Sequence, residues 1–362
     1  MAESTPLVDL VRSRIDEFLT AREPILAAIG SDLVPLSEFS RQFLSGGKRF
    51  RAQFCYWGAR SIAEQEGDAL AATVSCATAL EVFHAAALVH DDIIDNSDTR
   101  RGGASAHRLF EGIHEASGWA GNGPEYGRAA GILLGDLLLG WSDELLDEGL
   151  DRLADRASAR RTRTLFNAMR TEVTAGQYLD ILEERAWLVQ PESELFGRAL
   201  RVITFKSAKY SVQAPLVIGA ALSGADSEQL EALRRFGLPL GIAYQLRDDV
   251  LGVFGDSEVT GKPSGDDIRE GKRTVLVALA RQGLDQAERT QLDAGLGDPG
   301  LSDAQIAALQ QLIRRSGAVD QVEGMISDYV AEALSAITDA PLLADARTEL
   351  RDLAVTVTRR TA

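Results

Sequence analysis

Residues 68–92 read DALAATVSCATALEVFHAAALVHDD, twenty-five positions without a glycine or a proline. Alanine is the least costly residue in a helix, and here it is interleaved with Leu, Val, Phe and Cys at three- and four-residue spacing. The stretch therefore reads as one long helix. The same period continues outward from it over 7–29, 50–66, 127–149, 160–188, 194–223 and 226–254, with shorter helices filling 272–283 and 302–360. Alternating strand-like runs are hard to find, and no linker rich in Gly, Ser or Pro divides the chain. The pattern predicts an all-α protein, a single domain over 1–362 built as a bundle of long helices round one core.

Composition narrows the function. The chain has 362 residues, 45% of them hydrophobic, enough for a sizeable core. Its formal net charge of -16 argues against a nucleic-acid partner, since duplex binding needs an extended basic patch. No run reaches the roughly 18 uninterrupted apolar residues of a membrane span. The opening MAESTPLVDL is acidic and polar where a signal peptide has a basic start and an apolar middle. A cytoplasmic protein without an integral membrane segment is expected. Cys55 and Cys76 sit in apolar helical runs and are expected to be buried thiols of a reducing compartment.

The charged residues are not evenly spread. Four irregular segments stand out, at 45–51, 95–105, 115–127 and 255–273, and three of them are rich in Lys or Arg. Basic loops in an acidic helical protein suggest anion capture at helix ends. The helix over 68–92 runs into Asp91, Asp92 and Asp95, followed by Arg100 and Arg101. Asp91 and Asp95 are four apart and share a helix face, with Asp92 beside them. Three such carboxylates repel one another unless a cation lies among them, and an all-oxygen set suits Mg²⁺. A second run, YQLRDDVLGVFGD (244–256), brings Asp248, Asp249 and Asp256 to another basic loop holding Lys262, Lys272 and Arg273. Two acidic helix ends, each flanked by bases, are what is needed to hold a polyphosphate through bridging Mg²⁺.

These motifs, in this order, resemble the trans-isoprenyl diphosphate synthases, the all-α head-to-tail prenyltransferases, over nearly the whole chain. The resemblance implies the isoprenoid synthase fold with a central apolar cavity. GGKRFR (46–51) is similar to the loop in which Lys48 and Arg51 hold the diphosphate of isopentenyl diphosphate, with His84 and Arg101 as further ligands. Arg100, Lys206, Ser207, Gln245 and Lys262 are implied to bind the allylic diphosphate, with Arg100, Lys206 and Lys262 assisting its departure. Gln177 of GQYLD is a further candidate for the cavity wall. Asp91, Asp92, Asp95, Asp248 and Asp249 are implied to hold Mg²⁺, three ions in all. Ser207 stands where the family has Thr, and Ala52 where it often has Pro. A larger departure is Gly252, at the fifth position of the second acidic motif. It leaves open how many ligands that motif contributes.

The implied reaction is ionisation, condensation and elimination between isopentenyl diphosphate and an allylic diphosphate of 5, 10 or 15 carbons. Product length is set by what blocks the cavity beneath the first acidic motif. Ala86 and Ala87 occupy the positions where family members that stop at farnesyl carry bulky aromatics, and Phe83 is the next candidate block. The expected product is geranylgeranyl diphosphate, from a homodimer. The alternatives are a farnesyl or longer polyprenyl diphosphate synthase, a class I terpene cyclase, or an inactive helical regulatory subunit. A cyclase has no need of Lys48, Arg51 and His84, and an inactive subunit should have lost carboxylates from the first motif.

Overall fold

The structure, a computed structural model, describes residues 4–255 and 264–359. Helices account for nearly all of it. They are α1 (Ser4–Ile29), α2 (Val34–Leu44), α3 (Phe50–Arg60), α4 (Gly67–Ile94), α5 (Ala106–Ser117), α6 (Gly123–Asp151), α7 (Arg156–Ala186), α8 (Glu192–Val202), α9 (Ala214–Leu222) and α10 (Ser227–Phe254). After them come α11 (Asp266–Glu270), α12 (Val275–Gly283), α13 (Gln286–Gly295), α14 (Asp303–Arg315), α15 (Ala318–Ala336) and α16 (Ala344–Thr358). Among the described residues the only strands are β1 (Thr99–Arg100) and β2 (Gly103–Ala104), an antiparallel pair with Arg100 opposite Gly103. The all-α expectation holds.

Two compact units emerge: Met1–Arg163 with Ile218–Ala225, and Thr164–Val217 with Asp226–Ala362. In the first, α4 is apolar almost all round and correspondingly buried from Ala72 to Ala86, apart from His84. By length and composition alone α4 could cross a membrane, yet 83% of its most apolar window is buried inside the protein, as in a core helix. It packs on α6, where Leu134, Leu138 and Leu145 are fully buried and Ser142 Oγ donates to the carbonyl of Ala79 at 2.8 Å. Both cysteines are free and buried there, and burial pushes their thiols up, Cys76 to about 12.

In the second unit α10 is central, opened by a capping box in which Asp226 and Gln229 satisfy each other's backbone N–H. Its apolar face joins a core of Leu195, Ala199, Ala208, Leu246, Val277, Ile313, Val322 and Ile326.

Boundaries depart from the periodicity in instructive ways. The helix expected over 50–66 stops at Arg60, and the loop expected over 115–127 shrinks to 118–122. Gly118 at φ 62° ends α5, and Asn122 caps α6 by accepting the Glu125 N–H at 3.1 Å, with Pro124 in the first turn. The run over 194–223 is not one α-helix. Between α8 and α9, residues Ile203–Gln213 form a π-helix.

Candidate active site

The first unit gathers the first acidic motif and the basic residues. Asp91 and Asp92 fall in the last turn of α4, and Asp95 caps it, donating its N–H to the Asp91 carbonyl at 2.8 Å. Asn96, at φ 56°, starts the return. Arg101 (φ 53°) and Gly102 (φ 77°) then form the two-residue loop between β1 and β2, both in the left-handed region that such a hairpin requires. This turn sends neighbouring arginines to different partners. Arg100 Nε donates to Asp92 Oδ1 at 2.9 Å, its Nη2 reaches the same oxygen, and Nη2 stands 3.7 Å from Asp91 Oδ2. Arg101 Nη1 donates to the Ser45 carbonyl at 3.1 Å, and its guanidinium lies against Gly47. Arg100 thus supplies part of the positive charge that the adjacent carboxylates need, and fully buried Asp92 serves to hold it.

The 45–49 loop is shaped by Gly46 (φ 64°) and Gly47 (φ 83°) and closes on Arg49 (φ 52°). Arg49 is only 7% exposed, and it reaches Glu81 Oε2 at 3.3 Å and the Leu44 carbonyl. Glu81 Oε1 also accepts the Ala52 N–H at 3.1 Å, and Gln53 Nε2 donates to the Lys48 carbonyl at 2.6 Å. The loop is therefore clamped to α4 while Lys48 stays outward, its Nζ 6.0 Å from the Phe50 ring centre. His84 lies nearly a turn beyond Glu81. Its pKa is held well below the usual imidazole range, first by burial and then by the charges of Arg51, Arg101, Arg100 and Arg49. Arg101 is lowered in turn by burial and by Arg49, which Glu81 opposes. Burial and the neighbouring guanidiniums thus disfavour a charged imidazole at His84. On the same helix Phe83 and Ala86 are buried and Ala87 is half-buried.

The second unit carries the other set. Lys206 and Ser207 lie on the π-helix, both half-buried. Lys206 Nζ is 2.5 Å from Asp180 Oδ2, which Lys272 Nζ also approaches at 3.5 Å; Lys272 further reaches Glu184 at 3.3 Å. On α10, Asp248 is exposed, whereas Asp249 is 5% exposed and accepts from Gln245 Nε2 at 2.8 Å through Oδ1. Burial first, and then the charges of Asp267, Asp248 and Asp180, raise the Asp249 carboxyl well above the usual range, against the bond from Gln245. Its Oδ2, buried, has no hydrogen-bond partner among the described residues. Gln177 is half-buried on α7, three residues before Asp180. Asp256 and Lys262 lie outside the described residues.

Both acidic sets are all-oxygen donors, a match for Mg²⁺. Among the described residues no three acidic or imidazole side chains close tightly enough to enclose an ion unaided. Mg²⁺ is commonly shared in this way between one or two carboxylates and a substrate's phosphates.

Arg49, Glu81, Asp180 and Asp267 hold the site's basic residues or stand beside its carboxylates without being singled out by the motifs. Asp180 and Asp267 lie inside GQYLD and GDDIREGKRT, and an acid within a basic or amide-bearing motif was the available signal. Glu81 stands out as the one acid between Asp68 and Asp91 in a long Ala-rich helix. Nothing in sequence separates Arg49 from its neighbours, because its inward turn depends on the left-handed backbone.

The polyprenyl synthetase family model matches residues 34–313. The geranylgeranyl pyrophosphate synthase of Corynebacterium glutamicum, whose crystal structure contains isoprenyl diphosphate and magnesium, superposes with a TM-score of 0.92. It is 38% identical and covers 98% of this chain and 99% of its own. A geranylfarnesyl diphosphate synthase of Aeropyrum pernix is 30% identical over 309 residues, 85% of this chain and 88% of that one. The nonaprenyl diphosphate synthase of Mycobacterium tuberculosis is 31% identical, over 83% of this chain and 80% of its own. The chain belongs to the polyprenyl synthetase family. By fold and relatives it is an isoprenyl diphosphate synthase, a prenyltransferase with the all-α isoprenoid synthase fold.

Proposed function

We propose that the whole chain acts as one isoprenoid synthase domain, condensing isopentenyl diphosphate with allylic diphosphates to geranylgeranyl diphosphate. Relatives of similar identity carry names of different product lengths, so length rests on the chain's own residues: small Ala86 and Ala87, then Phe83. The observation that carries prenyl transfer is the divergence of the two neighbouring arginines, Arg100 held by Asp92 at the first acidic motif and Arg101 turned to the 45–49 loop. Two diphosphates need two anion sites, whereas a cyclase needs one.

In this reading Lys48, Arg51, Arg101 and neutral His84 hold the isopentenyl diphosphate, with Arg49 and Glu81 fixing the loop. Asp91, Asp95 and Asp248 would hold Mg²⁺, with Asp92 orienting Arg100; the ions would neutralise the allylic diphosphate and make it a better leaving group. Arg100 and Lys206 bear on the same diphosphate, and Lys206 is oriented by Asp180. Lys262, Ser207 and Gln245 complete that set. Apolar walls would exclude water from the reacting carbons. A homodimer of the cytoplasm, binding three Mg²⁺, is part of the proposal.

The test is product analysis by mass spectrometry, with isopentenyl diphosphate plus each of the 5-, 10- and 15-carbon starters. Geranylgeranyl diphosphate from all three is expected. A hydrocarbon formed from geranylgeranyl diphosphate alone would overturn the reading.

A further inference from the structure

Gly252 is where the second acidic motif loses a carboxylate, one turn beyond Asp248 on α10. Glycine inside a helix costs about 1 kcal/mol against alanine, so its presence asks for a reason. The space beside it is taken. A Cβ at 252 would stand 2.1 Å from Oδ2, 2.4 Å from Cγ and 2.8 Å from Oδ1 of Asp267. The Asp267 carboxylate, fifteen residues on in α11, therefore rests on bare α10 backbone where a residue-252 side chain would begin. Its oxygens thereby occupy the position of the motif's fifth residue, on the same helix as Asp248 and Asp249. The buried, unpartnered Oδ2 of Asp249 marks the cluster as unfinished without a cation.

We infer that Gly252 and Asp267 act as one unit, the glycine clearing a place and the aspartate filling it, so that the second cluster keeps three carboxylates toward a divalent cation. Asp248 and Asp249 come from α10, and Asp267 addresses the cation through its bound waters. Mg²⁺ retains several waters, and residues that hold the outer shell change metal affinity by about 10- to 100-fold. The inference rests on the cation reading of this cluster given above.

Mn²⁺ binding to the full chain, followed by electron paramagnetic resonance with inorganic pyrophosphate present, tests it. A parent carrying Asp91→Asn and Asp95→Asn isolates the second cluster, and melting curves confirm that each protein is folded. Asp267→Asn, which keeps the shape, should weaken Mn²⁺ roughly tenfold or more. Gly252→Ala, which displaces the Asp267 carboxylate, should do the same. Combining Gly252→Asp with Asp267→Gly should recover most of the affinity that Asp267→Gly alone loses. Mn²⁺ binding that falls with Asp248→Asn but not with Asp267→Asn overturns the inference, as does a swap no better than Asp267→Gly. If Asp248→Asn also has no effect, the cation reading itself falls, and this inference with it.

Discussion

Arg49 and Glu81 show how much one buried pair can organise. The pair sits beneath a loop of positive-φ residues, and Glu81 serves both the guanidinium and the first turn of α3. Removing one partner of a buried pair leaves the other charged and unsolvated, at a cost of about 3–5 kcal/mol. Arg49→Met should therefore lower the unfolding free energy from urea titration by roughly that much and raise KM for isopentenyl diphosphate. His84 offers a pH test. Its folded pKa lies below that of the unfolded chain, about 6.5, so the unfolded chain binds the extra proton. The stability tied to a neutral His84 is complete above about pH 6.5 and is lost as pH falls below it, by at most about 1.4 kcal/mol per pH unit. In urea unfolding at pH 7 and 5.5, His84→Gln should lose less stability on acidification than the parent.

At the scale of elements, the contacts of the π-helix matter most. A Cβ at Gly176 of α7 would stand 2.4 Å from the Lys206 nitrogen, and one at Gly241 of α10 would stand 2.4 Å from the Ala208 carbonyl oxygen. Both helices thus touch π-helical backbone directly, and the obstructing atoms cannot rotate away. Gly241→Ala should destabilise the protein by about 1–3 kcal/mol through overpacking, outweighing the better helix propensity, as a lower urea midpoint at unchanged slope. Sequence made the long helices legible because each repeats its apolar period over many turns. It did not make α2, α5, α11 and α13 legible, since short helices are defined by caps and packing more than by period. Nor did it show the π-helix, which keeps a helical look in sequence while changing the hydrogen-bonding partner.

For the molecule as a whole, the acidic balance and the chemistry are connected. A chain of net charge -16 that handles diphosphates needs its positive charge where those anions bind, and divalent cations elsewhere. EDTA should abolish turnover, with Mg²⁺ restoring it, as read by diphosphate release. Product length should respond to a single wall residue: Phe83→Ala should shift products beyond 20 carbons, and an unchanged distribution would dismiss Phe83 as the block. The motifs in the sequence supplied most of the candidate residues, because diphosphate chemistry demands particular charged side chains at helix ends. Their partners were hidden, because Glu81, Asp180 and Asp267 act from elements far along the chain.

The π-helix over Ile203–Gln213 also has a bearing on how this chain can vary. A π turn takes about 4.4 residues where an α turn takes 3.6, so eleven residues in that form set α9 at a different rotational phase from α8 than a continuous α-helix would. Deleting one residue between 203 and 213 would turn every later side chain of α9 by about 80°, one residue's share of a π turn. The length of this segment is therefore fixed by rotational phase, independently of the side chains it carries. Natural insertions and deletions should avoid it, and engineered ones should be placed in loops instead.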